Sequence, residues 1–572
     1  MEVGSGAQPI QTNWWKAYGP ILIVYVIVTW FTNAYTMGDT FDYANAILAH
    51  QHGSAASPVN PFWDFGHLFW RPLGLLCFRM LHPISTFFVG KEELAQVNWA
   101  LLVLGWLGGL GAVLAMRALA SLASDNTWLT TAIAAALLVS NAFLNYAQTG
   151  SAYVPGLALV LAASYLLAKH RSNPDQTIKN ALPAAACLAL AVCLWLPFVL
   201  AVPAALTLPL ILHGINKSRL KLAIQTALFA GAFIAVSYLA VAASQGLLSV
   251  SQIAHWASSS AHGYHREGVL RTIFGIARSF ISVGNDTILF KRYLLHDPYS
   301  PVSTTQLFRL GLWKLGLFYG FLILTLAGLL RSESGRRYFL LLVVNALPVL
   351  FFALFVFEGG MPERYLPLYP MLFLALAYLL GRKPSRLIQL AALAVLLSMC
   401  ISNFSATARS KLAEKEATSA ARIRELQSQL DPGSLVTVSH LQDDLVSFNL
   451  DYPFNAINRA GNLKVYSLVE VGARRLDTWR EDFAKQTFAA WQSGGGVWVS
   501  RRLLSRAPQS DWNWVEGDDP RVSWNDLYSF FAPLQFERSV GGEDGFILLA
   551  RNDQNWKTLS LARERGPLQS MP

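Results

Sequence analysis

Two carboxylates stand three residues apart in Gly38-Asp39-Thr40-Phe41-Asp42-Tyr43, directly after an apolar run of membrane-spanning length. Ionisable groups at the edge of a bilayer are costly to place and tend to mark function. A carboxylate within hydrogen-bond reach of a hydroxyl can take its proton as a new bond forms, which is general-base chemistry. The same two acids would also serve as a polar exit for the helix, and the motif alone leaves both readings open. A second candidate is Glu363-Arg364-Tyr365, inside Gly359-Gly360-Met361-Pro362-Glu363-Arg364-Tyr365-Leu366-Pro367-Leu368-Tyr369-Pro370. It sits at the outer start of a late apolar segment, where an Arg runs against the usual inward bias of basic residues. The planar guanidinium fork fits two phosphate oxygens. The plainer alternative is a Glu–Arg pair that anchors the helix end.

Two further groups are looser. The loop 247–310 carries His255, His262, His265, Arg266, Arg271, Arg278, Lys291 and Arg292. Such residues either hold anionic lipid head groups or form a solvated amphipathic face. Its histidines lack the spacing of a zinc site. Around the first loop lie His50, His52, Asp64, His67 and Arg71. His67 and Arg71 are one turn apart if a helix starts near Gly66. They would line a site beside Asp39 or anchor the chain at the interface.

The elements that must position these groups are set by hydropathy. The chain of 572 residues is 53% hydrophobic and only 14% charged, against about 25% charged in a soluble protein. The deficit is confined to residues 1–404, where apolar runs recur. Spans are expected at Tyr18–Tyr35 and at about 96–116, 127–146, 150–168, 181–197, 198–213, 219–245, 311–331, 337–357, 363–381 and 386–404. The pair 181–213 breaks near Trp195-Leu196-Pro197. Leu68–Leu81, short and interrupted by Arg71, Pro72 and Arg79, suits an interfacial helix better than a span. With that reading, the basic loop residues Arg117; Lys169, His170, Arg171 and Lys179; Lys217, Arg219 and Lys221; Arg331, Arg336 and Arg337; and Arg382, Lys383 and Arg386 share one side. The basic-loop rule makes that side cytoplasmic, so the N-terminus is inside and loops 36–95 and 246–310 are outside. The net charge of +10 then needs no nucleic acid. The first apolar run lacks a small-residue cleavage site and reads as a retained helix. Cys77, Cys187, Cys193 and Cys400 all fall in apolar segments, with no disulfide framework or CxxC pattern.

The remaining residues have soluble composition. A charged helical stalk is expected over 405–430, then a C-terminal domain over 431–572. Leu435–Val438, Lys464–Val469, Gly496–Ser500 and Gly545–Leu549 are strand-like, with helical patterns between them, which suggests a small α/β domain. Trp479, Trp491, Trp498, Trp512, Trp514, Trp524 and Trp556 suit core packing for the most part, with Trp512–Trp514 an option for acceptor recognition. There is no internal repeat and no Gly-rich phosphate motif; Gly494-Gly495-Gly496 reads as a turn.

In this layout the chain resembles the GT-C superfamily of integral-membrane glycosyltransferases. It is similar to the bacterial branch of protein O-mannosyltransferases and of aminoarabinose transferases acting on lipid A. The likeness rests on the acidic exit motif Gly38–Tyr43, on His67-Leu68-Phe69-Trp70-Arg71-Pro72-Leu73, on the chain of short spans, and on Glu363-Arg364-Tyr365-Leu366-Pro367-Leu368-Tyr369-Pro370. It covers roughly 18–404. The resemblance implies a GT-C-like polytopic helical fold of about 11 spans, followed by the small α/β domain. It implies inverting transfer of a sugar from a polyprenyl-phosphate donor to an envelope acceptor (lipid, polysaccharide or protein) on the external face. Asp39 would then be the base, with Asp42 orienting it or the acceptor. Arg364 would hold the departing phosphate and Glu363 would fix Arg364. Tyr365 and Arg71 would complete the phosphate site, and His67, His265 and Arg266 would line it. The family often has adjacent acids; here Thr40 and Phe41 separate them, which leaves open which Asp acts. Some relatives bind a divalent cation; the spacing does not decide that, and no metal ligands are assigned. The implied partners are the lipid-linked donor, membrane lipids and the acceptor, and the implied location is a bacterial inner membrane.

Two other classes compete. A transporter or flippase of a lipid-linked sugar would place ionisable residues mid-span, often in repeated halves; these spans are nearly free of charge. A non-catalytic scaffold leaves the gathering of Asp39, His67, Arg71 and Arg364 on one side unexplained.

Overall fold

The computed structural model describes residues 14–33, 38–53, 62–169, 177–260, 268–283, 293, 302–382, 384–409, 428–431, 433–440, 463–469, 478–506, 522–540 and 545–564. The chain divides into two compact units. The first comprises Met1–Ala34, Asp42–Ser282 and Trp313–Arg409; the second comprises Tyr35–Phe41, Val283–Leu312 and Ser410–Pro572.

The first unit is helical. Its elements are α1 (Trp14–Phe31), α2 (Gly38–Gln51, begun in the second unit), α3 (Trp70–Val89), α4 (Glu93–Ala120), α5 (Thr127–Leu138), α6 (Asn141–Tyr146), α7 (Tyr153–Ala168) and α8 (Thr177–Leu194). A 3-10 turn at Leu196–Ala201 leads into α9 (Val202–His213), α10 (Lys217–Ser244), α11 (Val250–Ser260) and α12 (Val269–Phe280). Then come α13 (Trp313–Leu330), α14 (Glu333–Phe355), a second 3-10 turn at Pro362–Leu368, α15 (Tyr369–Gly381) and α16 (Arg386–Thr407). Among the described residues, 9 helices are long and apolar enough to cross a membrane, and three shorter apolar helices, Thr127–Leu138, Tyr153–Ala168 and Ile178–Leu194, accompany them. Eight of the eleven segments expected to span fall on helices of spanning length; 150–168 and 181–197 fall on the shorter Tyr153–Ala168 and Ile178–Leu194, and 127–146 is split between Thr127–Leu138 and Asn141–Tyr146. This is a polytopic helical membrane protein.

Two sequence expectations change. The outer segment 36–95 is not loop before α3: Gly38–Gln51 is a helix, because Tyr43, Ala44 and Ile47 recur at helical spacing and bury one face. Ile47 packs against α3, where a Cβ at Gly74 would come within 2.8 Å of it. The apolar stretch read as ending at Leu81 runs on to Val89. Pro83 is carried inside the helix, and at 20 residues it has the length and composition of a span.

Close approach of the helices uses small residues, as membrane interfaces favour. A Cβ at Gly108 would lie 2.6 Å from Pro155 of α7, and one at Gly156 would lie 2.4 Å from Phe198. Breaks in the helices are stitched by specific donors. Between α5 and α6 the carbonyl of Val139 accepts from the Asn403 amide at 2.6 Å. That same amide donates to Phe280 O at 2.8 Å, and its oxygen accepts from Ser282 N at 2.6 Å. One buried side chain thus ties α16 to the α5–α6 break and to the end of α12. At the α8 break, Phe69 N donates to Cys193 O and Leu196 N to Gly66 O, both at 2.9 Å. The first loop is therefore laced to the break foreshadowed by Pro197.

The second unit holds a five-stranded sheet, β1 (Ser434–His440), β2 (Leu463–Val469), β3 (Val497–Ser500), β4 (Phe536–Val540) and β5 (Phe546–Leu549), in the order β2-β1-β3-β5-β4. Pairings β2-β1-β3 are parallel and β3-β5-β4 antiparallel. Helix α17 (Trp479–Gln492) supplies Trp479, Phe483 and Trp491 to a core shared with Val497, Val499, Trp524 and Phe531. Trp498 is buried as well, so β3 is covered on both faces. Trp556 is half exposed, and Trp512 and Trp514 lie outside the described residues. The strand β4 was not anticipated; as an edge strand with Glu537 and Arg538 exposed, it shows no apolar run.

Candidate active site

The site forms where the first loop and the Pro362–Leu368 turn meet one aromatic wall. Asp64 organises the loop side. One of its oxygens accepts from Gly66 N at 2.9 Å. The other lies 3.2 Å from His67 Nδ1 and 3.4 Å from the Arg71 guanidinium. With Nδ1–H given to Asp64, His67 Nε2 is left to accept from the Tyr43 hydroxyl, 3.3 Å away. The Arg71 guanidinium stands 5.3 Å above the Tyr43 ring. Tyr43 is buried, and its neighbour Asp42 is exposed. The residue chosen in the first loop is thus held by a carboxylate–imidazole–phenol chain. The loop itself is fixed from outside by Trp256 Nε1 on Trp63 O at 2.7 Å and by the Tyr238 hydroxyl on Phe65 O at 2.8 Å.

The opposite side is built on the turn after α14. Arg364 is almost buried. Its terminal nitrogen meets Glu358 Oε2 at 2.6 Å, and its Nε is 3.9 Å from Glu363 Oε1. The guanidinium lies 4.5 Å from the Phe357 ring centroid and 5.7 Å from that of Trp195. Glu363 accepts a 2.5 Å hydrogen bond from the Tyr146 hydroxyl. Two carboxylates and two rings therefore hold one cation. Glu358 has φ +37, the one positive-φ residue other than glycine among those described, a backbone state that non-glycine residues seldom occupy. The turn is clamped to α12: a Cβ at Gly275 would lie 2.1 Å from Gly359 O, and Arg278 donates to Gly360 O at 3.2 Å.

The two sides share Tyr153 and Trp195. The Tyr153 ring is 6.0 Å from His67, 5.0 Å from Tyr146 and 4.7 Å from Trp195, centroid to centroid. Trp195 stands at the α8 break, where its backbone is extended.

Each residue singled out from sequence can now be placed. Asp39 and Asp42 occupy positions one turn apart on α2, so residues separated by Thr40 and Phe41 become neighbours along one helix face. The side chain of Asp39 lies outside the described part, as do His262, His265, Arg266, Lys291 and Arg292. His67 and Arg71 come together through Asp64; Glu363 and Arg364 come together with Glu358. Tyr365 is different: it is wholly buried and donates its hydroxyl to Gly359 O at 2.6 Å, with Thr272 O 3.1 Å away. It braces the turn and has no hydroxyl to offer a ligand. His50 stacks on Phe62 and His52 pairs with Glu93, so both anchor α2. Tyr146, Tyr153, Trp195, Phe357 and Glu358 were not singled out for the site. For Trp195 the signal was present, in the Trp-Leu-Pro break. No group of three or more His, Cys, Asp or Glu side chains with metal-binding geometry occurs among the described residues.

The fold and site together define a polytopic membrane protein with a caged arginine linked by an aromatic wall to the first-loop histidine. No family model matches the sequence, and neither does any curated protein. Among solved structures, ArnT from Cupriavidus metallidurans bound to undecaprenyl phosphate is similar at 10% identity, over 95% of this chain and 99% of that one, with TM-score 0.49. The Archaeoglobus fulgidus oligosaccharyltransferase tethered to an acceptor peptide is similar at 14% identity, over 95% and 75%, with TM-score 0.49. The mycobacterial arabinofuranosyltransferase AftD is similar at 12% identity, over 94% and 40%, with TM-score 0.42. At these identities and scores, what the chain does has to be read from the site.

Proposed function

We propose that this protein is a membrane-embedded glycosyltransferase. It moves a sugar from a polyprenyl-phosphate donor to a hydroxyl of an envelope acceptor, at the extracytoplasmic face and with inversion. The observation that carries the reading is Arg364, a guanidinium caged by Phe357, Trp195, Glu358 and Glu363 and linked through Trp195 and Tyr153 to first-loop His67 and Tyr43 of α2. A phosphate leaving group needs little protonation but gains from a fixed cationic donor. The acceptor hydroxyl is a weak nucleophile and needs a base. Asp42, exposed beside Tyr43, and Asp39, one turn before it, are the two candidates. A single displacement, with base and phosphate on opposite sides of the anomeric carbon, inverts that carbon. A lipid-borne donor suits a site at the bilayer surface, because it arrives sideways without entering water.

In this reading residues 1–404 carry catalysis. Residues 405–430 lead to the C-terminal domain 431–572 on the outer face, and the N-terminus is cytoplasmic. The test is transfer from undecaprenyl-phosphate-linked sugars in proteoliposomes, scored on envelope extracts by mass spectrometry. Replacing the base should lower turnover by about 10²–10⁴-fold, so Asp42→Asn or Asp39→Asn should do so with insertion unchanged. Wild-type turnover in both variants removes the assignment. Donor crossing the bilayer with no acceptor present would make the protein a flippase instead.

A further inference from the structure

We propose that Glu358 is an internal stand-in for the donor phosphate: its carboxylate holds the anion seat of Arg364 and yields it to the lipid phosphate. The inference rests on the reading of Arg364 as the phosphate-binding residue. Three independent observations carry it.

The first is the partition of the two acids. Glu363 is buried and already accepts from Tyr146, and it faces Arg364 only through Nε at 3.9 Å. Glu358 is more exposed, with a side chain 24% accessible against 6% for Glu363, and it takes the outer nitrogen of the fork at 2.6 Å. Glu363 is thus a fixed, buried acid already beside the guanidinium. Glu358 adds a second carboxylate, the more accessible of the two, on a terminal nitrogen of the guanidinium. Arg364 Nε is buried with no hydrogen-bond partner among the described residues, so the present arrangement leaves part of the fork unused. Phosphate offers more oxygens than one carboxylate edge and can engage a planar fork in two bonds.

The second is the backbone. Glu358 is held at φ +37, in a region that costs an ordinary residue free energy and persists only where its surroundings impose it. The ion pair to Arg364 is such an imposition. Breaking the pair removes one of the contacts that hold this backbone state.

The third is the pinned turn. Gly359 and Gly360 follow directly, and Met361 N closes the turn on Glu358 O at 3.2 Å. The far side of the turn is fixed by Tyr365 and Arg278 on the Gly359 and Gly360 carbonyls. With the turn so pinned, only rotation of the Glu358 side chain is needed to clear the seat, while Arg364 stays between its two rings.

The exchange is one anion for another on the same guanidinium, and no bond is made or broken. Its test is equilibrium binding of undecaprenyl phosphate to the detergent-purified full chain, with undecaprenol as the uncharged control. Removing the competing carboxylate should tighten binding about tenfold, the factor of one charge-assisted contact. Glu358→Gln and Glu358→Gly should both do this, the latter without backbone strain, and neither should alter undecaprenol binding. Arg364→Gln should abolish the gain when combined with either. If the wild type binds the phosphate lipid through Arg364 but both Glu358 variants bind equally or more weakly while folded, Glu358 is a structural prop and this inference falls alone. If Arg364→Gln leaves phosphate binding unchanged, or if no folded variant prefers the phosphate over the alcohol, the reading of Arg364 falls and the proposed function falls with it.

Discussion

Arg364 makes different demands from those a simple positive charge would satisfy. It is gripped by two flat rings and offers a planar fork. Lysine keeps the charge but loses the plane and the second donor. Arg364→Lys should therefore behave nearly as badly as Arg364→Gln, with turnover down about 10²-fold or more, the scale set by losing one preorganised donor at developing charge. Recovery of most of the activity by lysine would show that charge alone matters. On the other side of the wall, Tyr146→Phe strips the buried Glu363 of its donor. It should cost about 1.5–3 kcal/mol, as for other bonds to charged groups, read as a lower unfolding midpoint in detergent. At this scale sequence was a partial guide. The Glu-Arg pair announced itself because it stood at an apolar boundary. Glu358 did not, because nothing in its residue type says that its backbone turns left-handed or that its carboxylate reaches six residues ahead.

At the scale of elements, the site depends on helix breaks and on one tight crossing. Asn403 satisfies two carbonyls and one amide that the α5–α6 break and the end of α12 would otherwise strand. Asn403→Leu should destabilise the first unit by about 1–3 kcal/mol for each group left unpaired, measurable by thermal unfolding. The crossing of α12 over the turn leaves no room for a methyl at Gly275. Gly275→Ala should push α12 away, loosen Arg364 and reduce turnover much more than it lowers expression; an active Gly275→Val variant would contradict this. The break at Trp195 was legible because proline lacks the amide hydrogen a helix needs. Helix α2 was not, because its short apolar stripe is diluted by Asp39, Thr40, Asp42 and Asn45 and reads as polar loop. Prolines misled in the other direction at α3, where Pro83 is absorbed within the helix.

At the scale of the whole molecule, composition divides the sequence into a charge-poor stretch 1–404 and a remainder of soluble composition, while the second compact unit also takes in Tyr35–Phe41 and Val283–Leu312. Orientation depends on finer bookkeeping. It was inferred from basic loops, with the α3 stretch taken as lying on the surface, yet α3 has the length of a span. Labelling settles this. In a variant lacking Cys77, Cys187, Cys193 and Cys400, the exposed position Ser493 replaced by cysteine should react with a membrane-impermeant maleimide from outside intact inner-membrane spheroplasts. Reaction only after lysis would place the C-terminal domain in the cytoplasm and reverse the proposed sidedness.

The link between the first loop and the α8 break is made wholly of main chain, Leu196 to Gly66 and Phe69 to Cys193. Such a link carries no side-chain signature. Every residue it joins, short of an amide-less proline at Leu196 or Phe69, can be exchanged while the alignment of the two segments persists. Relatives of this chain could therefore keep the same relative seating of their first-loop and second-wall groups with hardly a letter in common, and a search for shared residues at these positions would pass over what holds the two halves of the site in register.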